Sequence, residues 1–219
     1  MISGHDPAPT ASLSPRSHLI QEFVETEHAY MAALAAMERC FVEVACDSCA
    51  LAAALFANIL ELAAFERGFV RKLAAIETRH FEDGVGTLFA DNELRFNVYF
   101  PFCEAFEAAS AVLLANANYL RNYAHILAFH ELQSYLIKPV QRLMKYPQLL
   151  NELVKHACAD GRDTTLLFEG IDAIRRVTSA LNETKRETEN MRLKQEFLDH
   201  LVDYQACGEV ACEAAHTHI

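Results

Sequence analysis

Apolar residues recur every three or four positions through most of the chain, the spacing of helices with one buried face. The clearest run is Leu132–His156 (LQSYLIKPVQRLMKYPQLLNELVKH). There Leu132, Leu136, Val140, Leu143, Pro147, Leu150, Val154 and, just beyond, Ala157 form one stripe. Lys138, Gln141 and Lys145, three and four apart, form a second stripe on a different face. Pro139 and Pro147 lie inside the pattern. Each lacks a backbone donor and crowds the carbonyl four residues back, so a break or bend is expected at both.

The same spacing predicts the other elements. Residues 1–16, with Pro7, Pro9 and Pro15 among Ser, Thr and Ala, read as a disordered lead-in. Ser17 is the expected N-cap of a first helix reaching Val44, with Ile20, Phe23, Glu27, Tyr30, Leu34, Met37, Phe41 and Val44 inward. Glu27 interrupts that stripe, so it is hydrogen-bonded inside or the bundle is open there. Glu22, Thr26 and Ala29 share a second face that lets another protein approach closely. After a joint at Asp47–Ala50, Leu55–Leu73 reads as one helix burying Leu55, Ile59, Leu62, Phe65 or Glu66, Phe69 and Leu73. A turn is expected at Asp83-Gly84-Val85-Gly86. Helices follow over Glu93–Asn116 (broken by Pro101) and Ala117–Ile137. The next turn is Asp160–Asp163, and Asp163 caps a last helix from Thr164 to about Gln205. The charged stretch Glu183–Asn190 is expected to project into solvent, and Cys207–Ile219 carries no periodicity.

Composition sharpens this picture. The 219 residues include 7 Gly and 6 Pro, and no sustained period-two alternation appears, so the expected class is all-α. A formal net charge of −11 disfavours nucleic acid, which calls for a basic face, and gives no attraction to anionic lipid. No run of about 18 uncharged apolar residues is seen and Met1–Pro15 does not resemble a signal peptide, so a cytoplasmic chain without a membrane span is expected. Seven cysteines are scattered, and free thiols are expected. Cys46-Asp-Ser-Cys49 has the spacing of half a zinc site, but Cys207, Cys212, His216 and His218 do not supply a matching half. No metal or cofactor is expected. A metal-dependent enzyme using these ligands is the least favoured reading.

YLIKPVQRLMKYPQLLNEL resembles the most characteristic segment of the Dbl-homology (DH) domain, the helical module of guanine-nucleotide exchange factors for Rho-family GTPases. The match runs through Lys138, Pro139, Gln141, Arg142, Lys145, Tyr146 and Leu149–Leu153. His18–Leu34, with Glu22, Glu25-Thr26-Glu27 and Tyr30, is similar to the opening DH segment. Leu55–Leu73, with Phe56, Asn58-Ile59 and Phe69, is similar to the second, and Leu181-Asn182-Glu183 to the closing helix. The likeness spans residues 17–205, leaving 206–219 as a linker remnant or tail. It implies an elongated helical bundle with a long C-terminal helix. Leu-Ile-Lys-Pro resembles fungal exchange factors for Cdc42 in particular. The family usually places a PH domain next, and no β-rich module fits after Gln205.

The resemblance also implies a partner and a site. The partner is a Rho-family GTPase, of the Cdc42 or Rac type by preference. Glu22 is expected to take hydrogen bonds from switch I, with Thr26 beside it. Lys138 is expected to meet acidic switch II, with Gln141 and Lys145 on the same surface. Arg175 stands where the family often has Asn, and His130 where Leu or Ile often helps select the GTPase. Membrane contact is expected only indirectly, at the inner face, through the partner or other domains. Arg142 and Tyr146 read as internal hydrogen-bonding residues. The alternative is a helical scaffold that binds partners without exchange, which Arg175 favours and Glu22 with Lys138 disfavours.

Overall fold

The computed structural model describes residues 14–216, and side chains through residue 197 except that of residue 196. Residues 1–13 of the lead-in expected over 1–16, and the last three residues, lie outside the described residues. The chain forms α1 (Pro15–Asp47), α2 (Cys49–Phe56), α3 (Ile59–Ala74), α4 (Phe81–Asp91) and α5 (Tyr99–Ala115). It continues through α6 (Ala117–Leu120), α7 (Phe129–Leu136), α8 (Lys138–Ala159) and α9 (Thr165–His216). Among the described residues there is no strand, so the class is all-α. Two compact units divide after Val177, within α9. In the first, α1 packs on α2, α3 and α8, while α5 packs on α2 and α8.

The inward stripe of α1 is as expected, with Ile20, Phe23, Glu27, Tyr30, Leu34, Met37 and Val44 buried. Phe41 is half-buried, its ring edge-on to Phe56 at 6.1 Å. The cap, however, is Ser14 rather than Ser17: Ser14 Oγ accepts the Ser17 N–H at 3.2 Å. Pro15 takes the first helical position, where its missing donor costs nothing. Helix therefore begins inside the expected lead-in. Arg16 anchors it, donating to both Glu82 oxygens at 2.6 and 2.7 Å and to the Thr78 carbonyl at 2.6 Å. The joint at 47–50 shrinks to Ser48, which closes α1 and accepts the Leu51 N–H at 3.2 Å to open α2.

The expected single helix over Leu55–Leu73 is two, bent by 50°. The break sits at Ala57, which has a positive φ of 44°, and Asn58. Asn58 Nδ2 donates to the Val98 carbonyl at 2.8 Å, a long-range bond that replaces helical pairing. Phe65 and Glu66, alternatives in the sequence pattern, are both buried.

Asp83–Gly86 is not a turn; it lies inside α4. Its glycine serves packing instead. A Cβ on Gly86 would fall 2.2 Å from the Leu166 carbonyl oxygen, and one on Gly170 would fall 2.7 Å from the Gly86 oxygen. Backbone thus meets backbone where α4 meets α9. Glu93–Asn116 divides into a 3₁₀ turn at Glu93–Val98 and α5, whose first turn accommodates Pro101. Glu93–Ala115 is apolar and long enough to cross a membrane by length and composition alone, although no span was expected. Its Tyr99, Phe102, Cys103, Ala109 and Leu113 are buried against the bundle, while most of its other residues are not.

Ala117–Ile137 is likewise broken, into α6, a 3₁₀ turn at Arg121–Tyr123 and α7. Tyr123 fixes the break by donating to the Asp47 carboxylate at the end of α1. Pro139 does not bend a helix but occupies the first turn of α8, and the chain breaks before it at Ile137. Pro147 stays within an uninterrupted α8, its carbonyl accepting from Asn151 Nδ2 at 2.6 Å. The buried face of α8 is rotated from expectation. Val140 and Pro147 are half-buried and Pro139 is inside, while Arg142 and Tyr146, expected inside, are buried with Leu143, Leu150, Leu153, Val154 and Ala157.

Gly161, at φ +66°, makes the turn into α9, and Asp163 Oδ1 accepts the Thr165 N–H at 2.9 Å. The helix continues to His216 rather than ending near Gln205, so 206–216 is helical. In the second unit, Glu183–Arg186 and Glu189–Arg192 pair at 2.7 and 2.8 Å on exposed turns. Such exposed pairs, screened by solvent, contribute little.

Candidate functional site

The face of α1 that flanks its core stripe and the polar face of α8 border a groove of about 230 Å³. Thr26 and Ala29 form the α1 wall; Lys138, Gln141 and Lys145 form the α8 wall; Tyr30 and Arg142 lie beneath. Ala29 is what lets the opening exist, since its methyl takes little room between the two helices. Four of the seven expected site residues (Thr26, Lys138, Gln141 and Lys145) thus meet in one place. Glu22 is exposed one turn before Thr26, on the same face of α1. His130 is exposed in the first turn of α7 and does not line the groove. Arg175, exposed on α9, does not line it either and lies 3.8 Å from Asp172, one turn earlier.

The two lysines are not equivalent. Lys138 Nζ rests over the Tyr135 ring, 3.7 Å from its centroid. Burial holds this ammonium below its ordinary range, against a smaller upward pull from Glu131. Lys145, two turns further along α8, is exposed. A cation already satisfied by an aromatic face gains less from an incoming carboxylate than one in open solvent. Lys145 is therefore the stronger candidate for contact with an acidic partner.

The Thr26 hydroxyl is hydrogen-bonded within the bundle. It donates to the Phe23 carbonyl at 3.0 Å and faces Arg142 Nη1 and Nη2, both at 3.3 Å. Both hydrogen-bonding capacities are engaged internally, so Thr26 shapes the wall.

A second hollow of about 460 Å³ continues along α8 past Gln141 and Lys145 to Met144 and Gln148. Met144 and Gln148 were not singled out from the sequence. Their spacing from Gln141, three and seven residues, was the available signal.

Beneath the groove lies a buried polar cluster. Arg142 is 8% exposed; its Nε donates to Glu27 Oε2 at 3.1 Å, and Nη2 lies 3.1 Å from Oε1. Its guanidinium also sits over the Tyr146 ring, 5.2 Å from the centroid. Burial raises the Glu27 carboxyl while Arg142 pulls it back. Burial drives Glu66 on α3 well above the ordinary carboxylate range, Glu27 adds to this, and the donated Tyr99 hydroxyl and Arg142 oppose it. Two fully buried carboxyls thus lie in the field of one guanidinium, which bonds Glu27. Glu27 makes the direct ion pair, and Glu66, which has none, is the carboxyl whose burial most favours the neutral form. Tyr146 and Tyr99 continue this cluster into rings of Phe65, Phe69, Phe89 and Phe96, with centroid separations of 5.0–6.3 Å. Metal ligation has no comparable arrangement: among the described residues no three His, Cys, Asp or Glu side chains gather, and Cys46 and Cys49 are free.

Known proteins share this sequence and architecture. Over 153 residues the chain is 34% identical to Rho guanine nucleotide exchange factor scd1 of Schizosaccharomyces pombe, covering 69% of this chain and 18% of that protein. It is 29% identical over 198 residues to Cell division control protein 24 of Saccharomyces cerevisiae, covering 85% and 23% respectively. The chain therefore spans less than a quarter of the length of either relative. A solved structure of the Vav1 exchange factor superposes with a TM-score of 0.67 at 27% identity, over 81% of this chain and 51% of that one. Residues 19–182, from the first turns of α1 into α9, match the RhoGEF domain, and the chain belongs to that family.

Proposed function

We propose that the groove between α1 and α8 grips the switch regions of a Rho-family GTPase, of the Cdc42 or Rac type, and promotes release of GDP and loading of GTP. The observation that carries this reading is the meeting of Thr26 and Ala29 with Gln141 and Lys145 across one opening, with Glu22 exposed one turn away. The two yeast relatives support it, the first through the exchange activity in its name.

No covalent chemistry is involved. A GTPase holds nucleotide through Mg²⁺, phosphate contacts and ordered switches. A protein that binds switch conformations incompatible with those contacts lowers nucleotide affinity by its differential binding. In this arrangement Glu22 accepts hydrogen bonds from switch I, and Lys145 meets an acidic group of switch II through a charge-assisted bond. Gln141 contributes a neutral contact between them, and Met144 an apolar one alongside. Returning nucleotide expels the chain, because the coupling is reciprocal. The net charge of −11 offers anionic lipid nothing. We therefore assign a cytoplasmic site of action, at the inner membrane face through the GTPase or through other domains.

The test is release of fluorescent GDP from a panel of Cdc42, Rac and Rho GTPases. Acceleration is expected on at least one, and GTP is expected to dissociate the complex formed with the nucleotide-free GTPase. Glu22→Ala and Lys145→Ala should each reduce the rate at least tenfold with the melting temperature unchanged. Lys138→Ala should cost less, since its ammonium is held by Tyr135. Binding without accelerated release across the whole panel would leave a helical scaffold instead.

A further inference from the structure

We propose that Arg142 is a positioning residue for exchange, fixing the register of the two groove walls through Thr26 and Glu27. The proposal rests on the exchange reading above and adds to it a residue that acts through others. Arg142 leaves α8 between Gln141 and Lys145, two residues of the groove wall, yet turns inward. From there its guanidinium crosses to α1, meeting the Glu27 carboxylate at 3.1 Å and the Thr26 hydroxyl at 3.3 Å. Thr26 is itself a wall residue and Glu22 sits one turn before it. One planar fork therefore ties the wall bearing the acid to the wall bearing the exposed lysine.

Apolar packing between α1 and α8 does not do this alone. Burial of apolar surface is non-directional and tolerates sliding along a helix axis, whereas a guanidinium fork accepts a narrow range of acceptor positions. Where binding groups on two elements act together, a misplacement of about 1 Å costs on the order of 100-fold in rate. The Thr26 hydroxyl reinforces the constraint because its proton goes to the Phe23 carbonyl, which leaves its lone pairs turned to Arg142. The Tyr146 ring beneath the guanidinium limits its rotation. A lysine in its place has a point charge and no fork, and reaches Glu27 or Thr26 but not both in one geometry.

The experiment compares wild type with Arg142→Lys and with the double variant Glu27→Gln/Arg142→Met, which removes both charges together. The double variant keeps the proposal testable even if Arg142→Met alone, with Glu27 left unpaired, is too destabilised for the exchange assay. It is expected to retain helicity and cooperative melting, yet to accelerate GDP release at saturating concentration at least tenfold less than wild type. The concentration giving half the maximal rate should move by a smaller factor. Arg142→Lys should recover part of the loss. Combining the double variant with Lys145→Ala should cost less than the product of the separate effects, because misaligned walls no longer use Lys145. Amide exchange adds a readout independent of activity: segments 22–30 and 138–146 should lose protection while 81–91 keeps it. A folded double variant with wild-type exchange rate, or with unchanged protection of both walls, overturns the proposal. If wild type accelerates release from no GTPase in the panel, the exchange reading falls. Amide protection then decides the tie between the walls by itself.

Discussion

Two buried carboxylate sites in this molecule have opposite charge balances. Under the groove, Glu27 and Glu66 lie in the field of Arg142, so acid exceeds base and burial raises both carboxyls. At the start of α4, Glu82 receives a bidentate contact from Arg16 and lies 3.5 Å from Arg162, so base exceeds acid. There burial pushes the carboxyl up, but Arg16, a backbone amide and Arg162 outweigh it, and Glu82 ends below its ordinary range. The Glu82 site works as a clamp: it joins the first turn of α1 and the α8–α9 turn to α4. The Glu27–Glu66 site joins the groove walls, and burial there favours the neutral carboxyl where the clamp favours the charged one. The same chemistry is thus stable at all but acid pH in one place and sensitive to higher pH in the other.

Removing base from the acid-rich site breaks this balance most severely. Arg142→Met leaves Glu27 buried beside Glu66 with no cation and is expected to destabilise by about 3–5 kcal/mol, read as a lowered urea midpoint. Adding Glu27→Gln should restore most of the loss. If Arg142→Met alone costs under about 1 kcal/mol, the guanidinium is not the counterion of a buried charge. The clamp should respond less. Glu82→Gln keeps an oxygen for Arg16 but removes the charge, and a hydrogen bond to a charged group contributes about 1.5–3 kcal/mol. Its effect should disappear in acid, where wild-type Glu82 is protonated too.

How much of this was legible follows from where each signal lives. Glu27 stood out because a charge at an apolar helical position demands a partner, and Arg142 with Tyr146 was assigned inward on the DH resemblance. Their meeting across 115 positions follows from no local pattern. Glu66 was one of two candidates for a single inward position, and bundle packing buries it together with Phe65. The α4 glycines were misread because turn chemistry and close helix approach favour the same residue, and only the Leu166 carbonyl tells them apart. At Ala57 no local signal exists: alanine favours helix, and the break is enforced by the bond from Asn58 to Val98. Along the groove, the α8 stripe could be read from spacing alone, including the face that carries Met144 and Gln148. The division of labour between Lys138 and Lys145 could not, since it depends on where the Tyr135 ring lies.

The smallest effect tests the proton itself. A carboxyl whose folded pKa is raised stabilises fully below its unfolded value of about 4.3, and that contribution is lost as pH climbs toward the folded value. Glu82 runs the other way: its contribution is present above about 4.3 and is lost as pH falls through its depressed folded value. Glu66→Gln keeps a carbonyl to accept the Tyr99 hydroxyl and needs no proton, so at pH 5 it should lie within about 1 kcal/mol of wild type. From pH 5 to 9 wild type should lose stability relative to this variant, because ionising Glu66 places a second carboxylate beside Glu27 with only Arg142 to share. Glu82→Gln should show no such divergence over that range. Urea midpoints measured across these pH values decide it: parallel curves for wild type and Glu66→Gln would mean that Glu66 is ionised throughout, and that the two buried sites do not differ in the way their arginine counts imply.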